Sequence, residues 1–181
     1  MPVRRVTLGL VALAALAVFS LVAWDVLQLS RRTPPLVPTE ARADRVVVEK
    51  SARRLTLLRD KTPLKSYDVA LGSTPIGHKQ QEGDGRTPEG LYVIDFKHPR
   101  SRFHLALRVS YPDAKDRSNA AKRGVTPGSD IMIHGLPNGL GWLGALHLKR
   151  DWTDGCIAVT DKQIEEIWAM VDVGTRVEIK P

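Results

Sequence analysis

What this sequence lacks narrows it before anything it contains. Only one cysteine occurs in 181 residues, so no internal disulfide can form. That residue, Cys156, lies far from the N-terminus, which removes acylation of a lipoprotein-type cysteine. No Gly-Lys-Ser/Thr follows the stretch Gly83-Asp84-Gly85 and no Rossmann spacing fits it, so it is not a phosphate loop. His78, His98 and His104 lack the His-Glu-x-x-His spacing of a zinc site. No internal repeat or low-complexity tract is present. Lys and Arg outnumber Asp and Glu 27 to 20, for a net charge of +7. These cations are scattered among acids with no recognition motif, so nucleic acid is not an expected partner. A basic surface suits anionic lipid or an acidic polymer equally well.

Three regions stand out along the chain. Arg4 and Arg5 precede an apolar run from Val6 to Trp24, interrupted only by Thr7, Gly9 and Ser20. About 19 residues at roughly 1.5 Å each match the ~30 Å hydrocarbon core. The arginines before the run place the N-terminus in the cytoplasm and the remainder outside. No small-x-small cleavage site follows cleanly, so residues 1–29 read as a signal anchor in preference to a cleaved signal peptide. Residues 30–44 carry Pro34, Pro35 and Pro38 among mixed charges and read as a linker. Residues 45–181 form the folded, exported domain.

That domain reads as mainly β with two short helices. The predicted strands are Val46–Val48, Leu55–Leu58, Tyr67–Leu71, Gly90–Ile94, Leu105–Val109, Ile131–Ile133 and Thr175–Ile179, all rich in β-branched and apolar residues. A polar helix is expected over Asp113–Arg123, stopped by Gly124. A second starts at Asp161 as N-cap, with Ile164, Ile167, Trp168 and Val171 at helical spacing.

Two segments could carry chemistry. His134 ends an apolar strand and opens the glycine-rich loop Gly135-Leu136-Pro137-Asn138-Gly139. Cys156 follows Gly155 and precedes the apolar Ile157-Ala158-Val159. A cysteine nucleophile needs a base that draws off its proton near neutral pH, and an imidazole is the usual one. Backbone N–H groups around Gly155 and Cys156 could stabilise the oxyanion formed on a carbonyl substrate. The competing reading of the cysteine is a buried, inert small hydrophobe.

Ile133-His134-Gly135, a glycine-bearing loop, and then Thr153-x-Gly155-Cys156-Ile157 together resemble the signature of the L,D-transpeptidase (YkuD-type) catalytic domain. Upstream, Thr87-Pro88-Glu89-Gly90 resembles that family's Thr-Pro-x-Gly segment, and Gly174-Thr175-x-Val177 its closing strand. The resemblance covers about Arg45 to Pro181. It implies a β-sandwich-like fold and an enzyme of the bacterial wall that needs no cofactor or metal. Cys156 would attack a stem-peptide carbonyl beside a diamino acid, D-alanine would leave, and the thioester would pass to an amine. That amine belongs to a second stem peptide or to an outer-membrane lipoprotein lysine. Position by position, the resemblance makes Cys156 the nucleophile and His134 the base, with Gly135 and Gly155 flanking them.

The sequence departs from the commoner pattern at two places. Asp154 stands where a histidine precedes the glycine, and Ala158 stands where Arg or Asn follows Cys-x. Text such as Asp151-Trp152-Thr153-Asp154-Gly155-Cys156 is similar to the YafK-like branch, which keeps hydrolysis with water as acceptor alive. A non-catalytic wall-binding module is the third alternative, and it predicts a lost nucleophile. Further candidates for substrate contact are Thr153, Asp154, Trp152, Trp142, His147 and Arg86. Each has a plainer reading: Asp154 as a turn residue, the tryptophans as partial core, His147 as a loop residue, and Arg86 as a solvated cation. The expected location is the periplasmic face of the inner membrane, with peptidoglycan as the partner.

Overall fold

The computed structural model describes residues 41–181. The apolar run and most of the expected linker therefore lie outside the described residues. Eight strands form one sheet: β1 (Ala43–Glu49), β2 (Arg54–Arg59), β3 (Thr62–Asp68), β4 (Gly90–Ser101), β5 (His104–Val109), β6 (Met132–His134), β7 (Ile157–Ala158) and β8 (Val171–Lys180). Their spatial order is β3-β2-β1-β8-β4-β5-β6-β7. Neighbours are antiparallel except β1 with β8 and β6 with β7. Two α-helices, α1 (Ala114–Lys122) and α2 (Asp161–Met170), and a 3₁₀ segment (Gly141–Lys149) accompany the sheet.

Alternation decides which side of each strand is buried. Val46 and Val48 of β1, Leu55 and Leu57 of β2, and Val177 and Ile179 of β8 all enter the core. Ile164, Ile167 and Met170 of α2 close over the same core. The domain is mainly β, as expected, and its β-sandwich-like arrangement is one curled sheet. The cause is β4, whose 12 residues pair with β8 over Gly90–Val93 and then with β5 from Ile94 to Ser101. Register shifts at Ile94/Phe96 and His98/Ser101 let this strand carry the sheet round, as bulges do.

Four expectations need correction. The third strand is Thr62–Asp68, not Tyr67–Leu71. It forms the edge of the sheet, where Pro63 removes no needed hydrogen bond and no alternating apolar face is required. Val69, Ala70 and Leu71 are fully buried but leave the sheet and run past the cysteine loop, with Ala70 bridging Ala158. The 3₁₀ segment, a third helical element that was not expected, follows the glycine-rich loop after His134. Finally, α2 is capped by Thr160, through a reciprocal bond pair with Gln163, and not by Asp161. This frees the Asp161 carboxylate for use elsewhere. At the other end, β1 begins at Ala43, inside the stretch expected to be linker.

Candidate active site

The parallel pairing of β6 with β7 brings the two distant segments together. Ile133 stands opposite Ile157 and His134 opposite Ala158. Both isoleucines are fully buried, so each strand is pinned by its core-facing residue. One step back from Ile157, Cys156 shares a wall of the cleft with Met132. Cys156 and His134 then line one cleft of about 490 Å³. Its other walls are the β4–β5 hairpin from His98 to Phe103, then Asp130, and Trp152, Thr153 and Asp154 of the cysteine loop.

The cysteine loop is shaped by close backbone packing. Gly155 has φ +125, and a Cβ there would sit 2.5 Å from the Arg86 carbonyl oxygen. Only glycine fits both the torsion and the space. Thr153 is buried and organises the turn: its hydroxyl donates to the Cys156 carbonyl at 2.7 Å and accepts from the Gly155 N–H at 3.2 Å. That N–H is engaged within the loop, so the expectation that it faces an oxyanion does not hold here. Thr87, buried completely, accepts the Gly72 N–H at 3.0 Å and so fastens the neighbouring chain.

His134 is only 4% exposed. Its Nδ1 lies 2.6 Å from the Gly135 carbonyl. A carbonyl can only accept, so Nδ1 carries the hydrogen and Nε2 keeps a free lone pair. Burial pushes the imidazole pKa below its ordinary value, partly opposed by the Gly135 bond and assisted by nearby His147. Phe103 lies against the ring with centroids 4.5 Å apart, and Trp152 meets it edge-on at 5.9 Å. Burial also pushes the Cys156 thiol upward, and the Asp154 and Asp130 carboxylates add to the shift against Met132 and Lys79. The thiol itself donates to the Asp130 carbonyl at 3.5 Å. Both shifts favour the uncharged forms, so the resting pair is thiol and neutral imidazole.

The remaining candidates are placed differently from one another. Thr153, Asp154 and Trp152 line the cleft. Trp142 is 77% exposed on the 3₁₀ segment and is not among the cleft's walls. His147 sits behind Trp152, accepting its indole N–H at 3.2 Å, and lines an adjoining apolar hollow of about 430 Å³. It does not take the place of the missing family histidine in the cleft. Arg86 is also outside the lining; its carbonyl abuts Gly155 and its N–H bonds Asp84. Gly135 supports the base, its N–H shared between the Phe103 and Leu105 carbonyls.

Sequence reasoning missed several residues here: Arg100, Arg102, Phe103, Asp130 and Asp161. Asp161 accepts the Leu136 N–H at 2.8 Å and packs where a side chain on Gly135 or Gly141 would collide with it. The one legible signal was the Arg100-Ser101-Arg102-Phe103 run between two strand patterns, a basic hairpin tip with an aromatic. Among the described residues no three His, Cys, Asp or Glu side chains are grouped to hold a metal ion.

Residues 43–179 match the family model of the L,D-transpeptidase catalytic domain, YkuD. The chain belongs to that family. YafK of Escherichia coli strain K12, named as an L,D-transpeptidase, is 31% identical over 110 residues, which is 60% of this chain and 37% of YafK. The fold is similar to a point variant of Pgp2, a helical cell shape determining protein of Campylobacter jejuni, with TM-score 0.59 and 25% identity over 76% of this chain and 47% of Pgp2. An L,D-transpeptidase from Mycobacterium smegmatis shares the fold at TM-score 0.50 and 16% identity, over 76% of this chain and 58% of its own. The chain thus spans less than half the length of YafK and of Pgp2.

Proposed function

We propose that this chain is a cysteine L,D-transpeptidase in which Cys156 is the nucleophile and His134 the general base and acid. The observation that carries the reading is the shared cleft: one thiol and one imidazole, on adjacent parallel strands, with the imidazole tautomer set by the Gly135 carbonyl. Because both groups rest uncharged, the proton moves as bonding begins. His134 Nε2 takes the Cys156 proton while sulfur attacks the stem-peptide carbonyl. The imidazolium then protonates the departing amine as the C–N bond breaks, leaving a thioester on Cys156. An incoming amine adds to the thioester, His134 removes its proton, and sulfur leaves to recover that proton. The new amide ends the cycle.

The acceptor decides the biological outcome: a stem-peptide amine gives a wall crosslink, a lipoprotein lysine an attachment, and water a hydrolysis. Substrate chemistry and the apolar Val6–Trp24 run behind Arg4 and Arg5 support a catalytic unit held at the periplasmic face of the inner membrane. The test is to incubate the full chain with disaccharide tetrapeptides and with lipoprotein-linked muropeptides and to weigh the products. Diamino-acid crosslinks are the expected result. Released lipoprotein peptide without crosslinks would replace transfer by hydrolysis, and full activity in Cys156→Ala would end the mechanism altogether.

A further inference from the structure

The cleft is electrically lopsided. Arg100 and Arg102 flank the tip of the β4–β5 hairpin on one wall, and Asp130 and Asp154 stand on the wall beside the cysteine. Among the described residues neither guanidinium has an ion pair or a side-chain hydrogen bond, although Arg42, Arg45, Arg53, Arg54, Arg59 and Arg108 all do. The hairpin bearing them is held in place. The Asn138 side chain accepts the His104 N–H at 3.1 Å and donates to the Ser101 carbonyl at 3.1 Å, while its own N–H bonds the Arg102 carbonyl at 2.9 Å. Phe103, at the same tip, lies against the His134 ring. Two exposed cations, without side-chain partners among the described residues, thus project from a backbone held on the general acid's side of the cleft.

That position has a chemical meaning. His134 protonates the leaving amine, so the leaving residue must lie on the histidine side. In an α-amino acid the carboxylate is one carbon from that amine. A group that holds it must therefore stand beside the general acid, where the hairpin stands. We propose that Arg100 and Arg102 hold the free C-terminal carboxylate of the leaving amino acid, so that the enzyme reads a chain end. Asp130 and Asp154 repel the same carboxylate and orient it toward the hairpin. A guanidinium suits the task through its planar, paired donors. The inference rests on Cys156 and His134 acting as proposed above.

Two measurements on the full chain test it. The first compares kcat/KM for a disaccharide tetrapeptide with a free C-terminal carboxylate and for its C-terminal carboxamide. A charge-assisted contact predicts a preference of about tenfold or more for the carboxylate. It should shrink to about threefold or less in Arg100→Ala/Arg102→Ala and return in part with the double Lys variant, which keeps charge but not the fork. The second compares alkylation of Cys156 by iodoacetate and by iodoacetamide. The anionic-to-neutral rate ratio should fall about threefold in the double Ala variant, and the fall should weaken in high salt. A chain that turns over neither peptide but shows this fall removes the transpeptidase reading and keeps the anion-binding wall. An unchanged alkylation ratio, or an undiminished carboxylate preference in the double variant, overturns the proposal.

Discussion

Gly155→Ala is the substitution whose consequence can be worked most fully from the structure. The residue has φ +125, well beyond the left-handed basin that an alanine tolerates. Its new Cβ would approach the Arg86 carbonyl oxygen to 2.5 Å and the Ile131 Cδ1 to 3.1 Å. Ile131 could shift, but Arg86 offers backbone, and the adjoining chain has no slack. Gly72 lies so close that its own Cβ would meet the Gly85 carbonyl at 2.1 Å and the Gly155 Cα at 3.0 Å. Backbone strain of about 1–3 kcal/mol and overpacking of about 1–3 kcal/mol give an expected loss near 4 kcal/mol. For a domain of this size that is a fall in Tm of roughly 10–15 °C. Gly83→Ala is the comparison, because Gly83 has φ +75 with nothing within 4 Å of a Cβ. It should lose only about 1 kcal/mol, for the torsion alone. Urea unfolding followed by circular dichroism, alongside turnover, measures both. Equal losses in the two variants would refute the claim that close backbone packing shapes the cysteine loop.

Four further outcomes are expected. The Cys156 alkylation rate should keep rising beyond pH 9 with no plateau near neutrality, since burial and the two aspartates raise the thiol; a plateau below pH 8 would mean a preformed thiolate. His134, lowered by burial, makes the unfolded chain bind more protons below about pH 6.5, so its contribution to stability is full above that pH and lost as pH falls toward the native value. Urea titrations of wild type and His134→Gln at pH 5 and 7.5 should show the smaller pH dependence in the variant. Asp161→Ala releases the Leu136 N–H and opens space against Gly135, so about 2 kcal/mol of stability should go and kcat should fall more than KM rises. Lys50→Met strips a buried ammonium from Gly77 O, Thr87 O and Glu89 at 2.6, 3.0 and 2.8 Å, and about 3 kcal/mol should be lost in urea unfolding. An effect below 1 kcal/mol there would mean water replaces the ammonium freely.

How much was legible depended on whether a local rule governed the residue. Val46 and Val48, Leu55 and Leu57, and Ile164 and Ile167 announced themselves through period 2 or period 3.6, because each faces one core from a regular element. The edge strand Thr62–Asp68 did not, since an edge needs little buried face, and the polar sequence around Pro63 offered no pattern to read. Asp161 read as an N-cap for the sound reason that Asp caps helices; Thr160 lies one residue earlier with Gln163 properly spaced, and geometry chose between them.

Cysteine count, the Ile-His-Gly and Gly-Cys signatures and their order were sufficient to name the family and to single out Cys156 and His134. These are properties of residue type and spacing along one chain. Tertiary structure alone decided what surrounds them, because the cleft is assembled from three separate segments, 98–103, 130–134 and 152–156, that meet only when β4 turns and β6 pairs with β7. It placed Trp142 and Arg86 outside the walls and His147 behind Trp152, and it brought Arg100 and Arg102 in. It also decided the charge state of the resting pair. Desolvation depends on how much protein covers a group, and no motif records that.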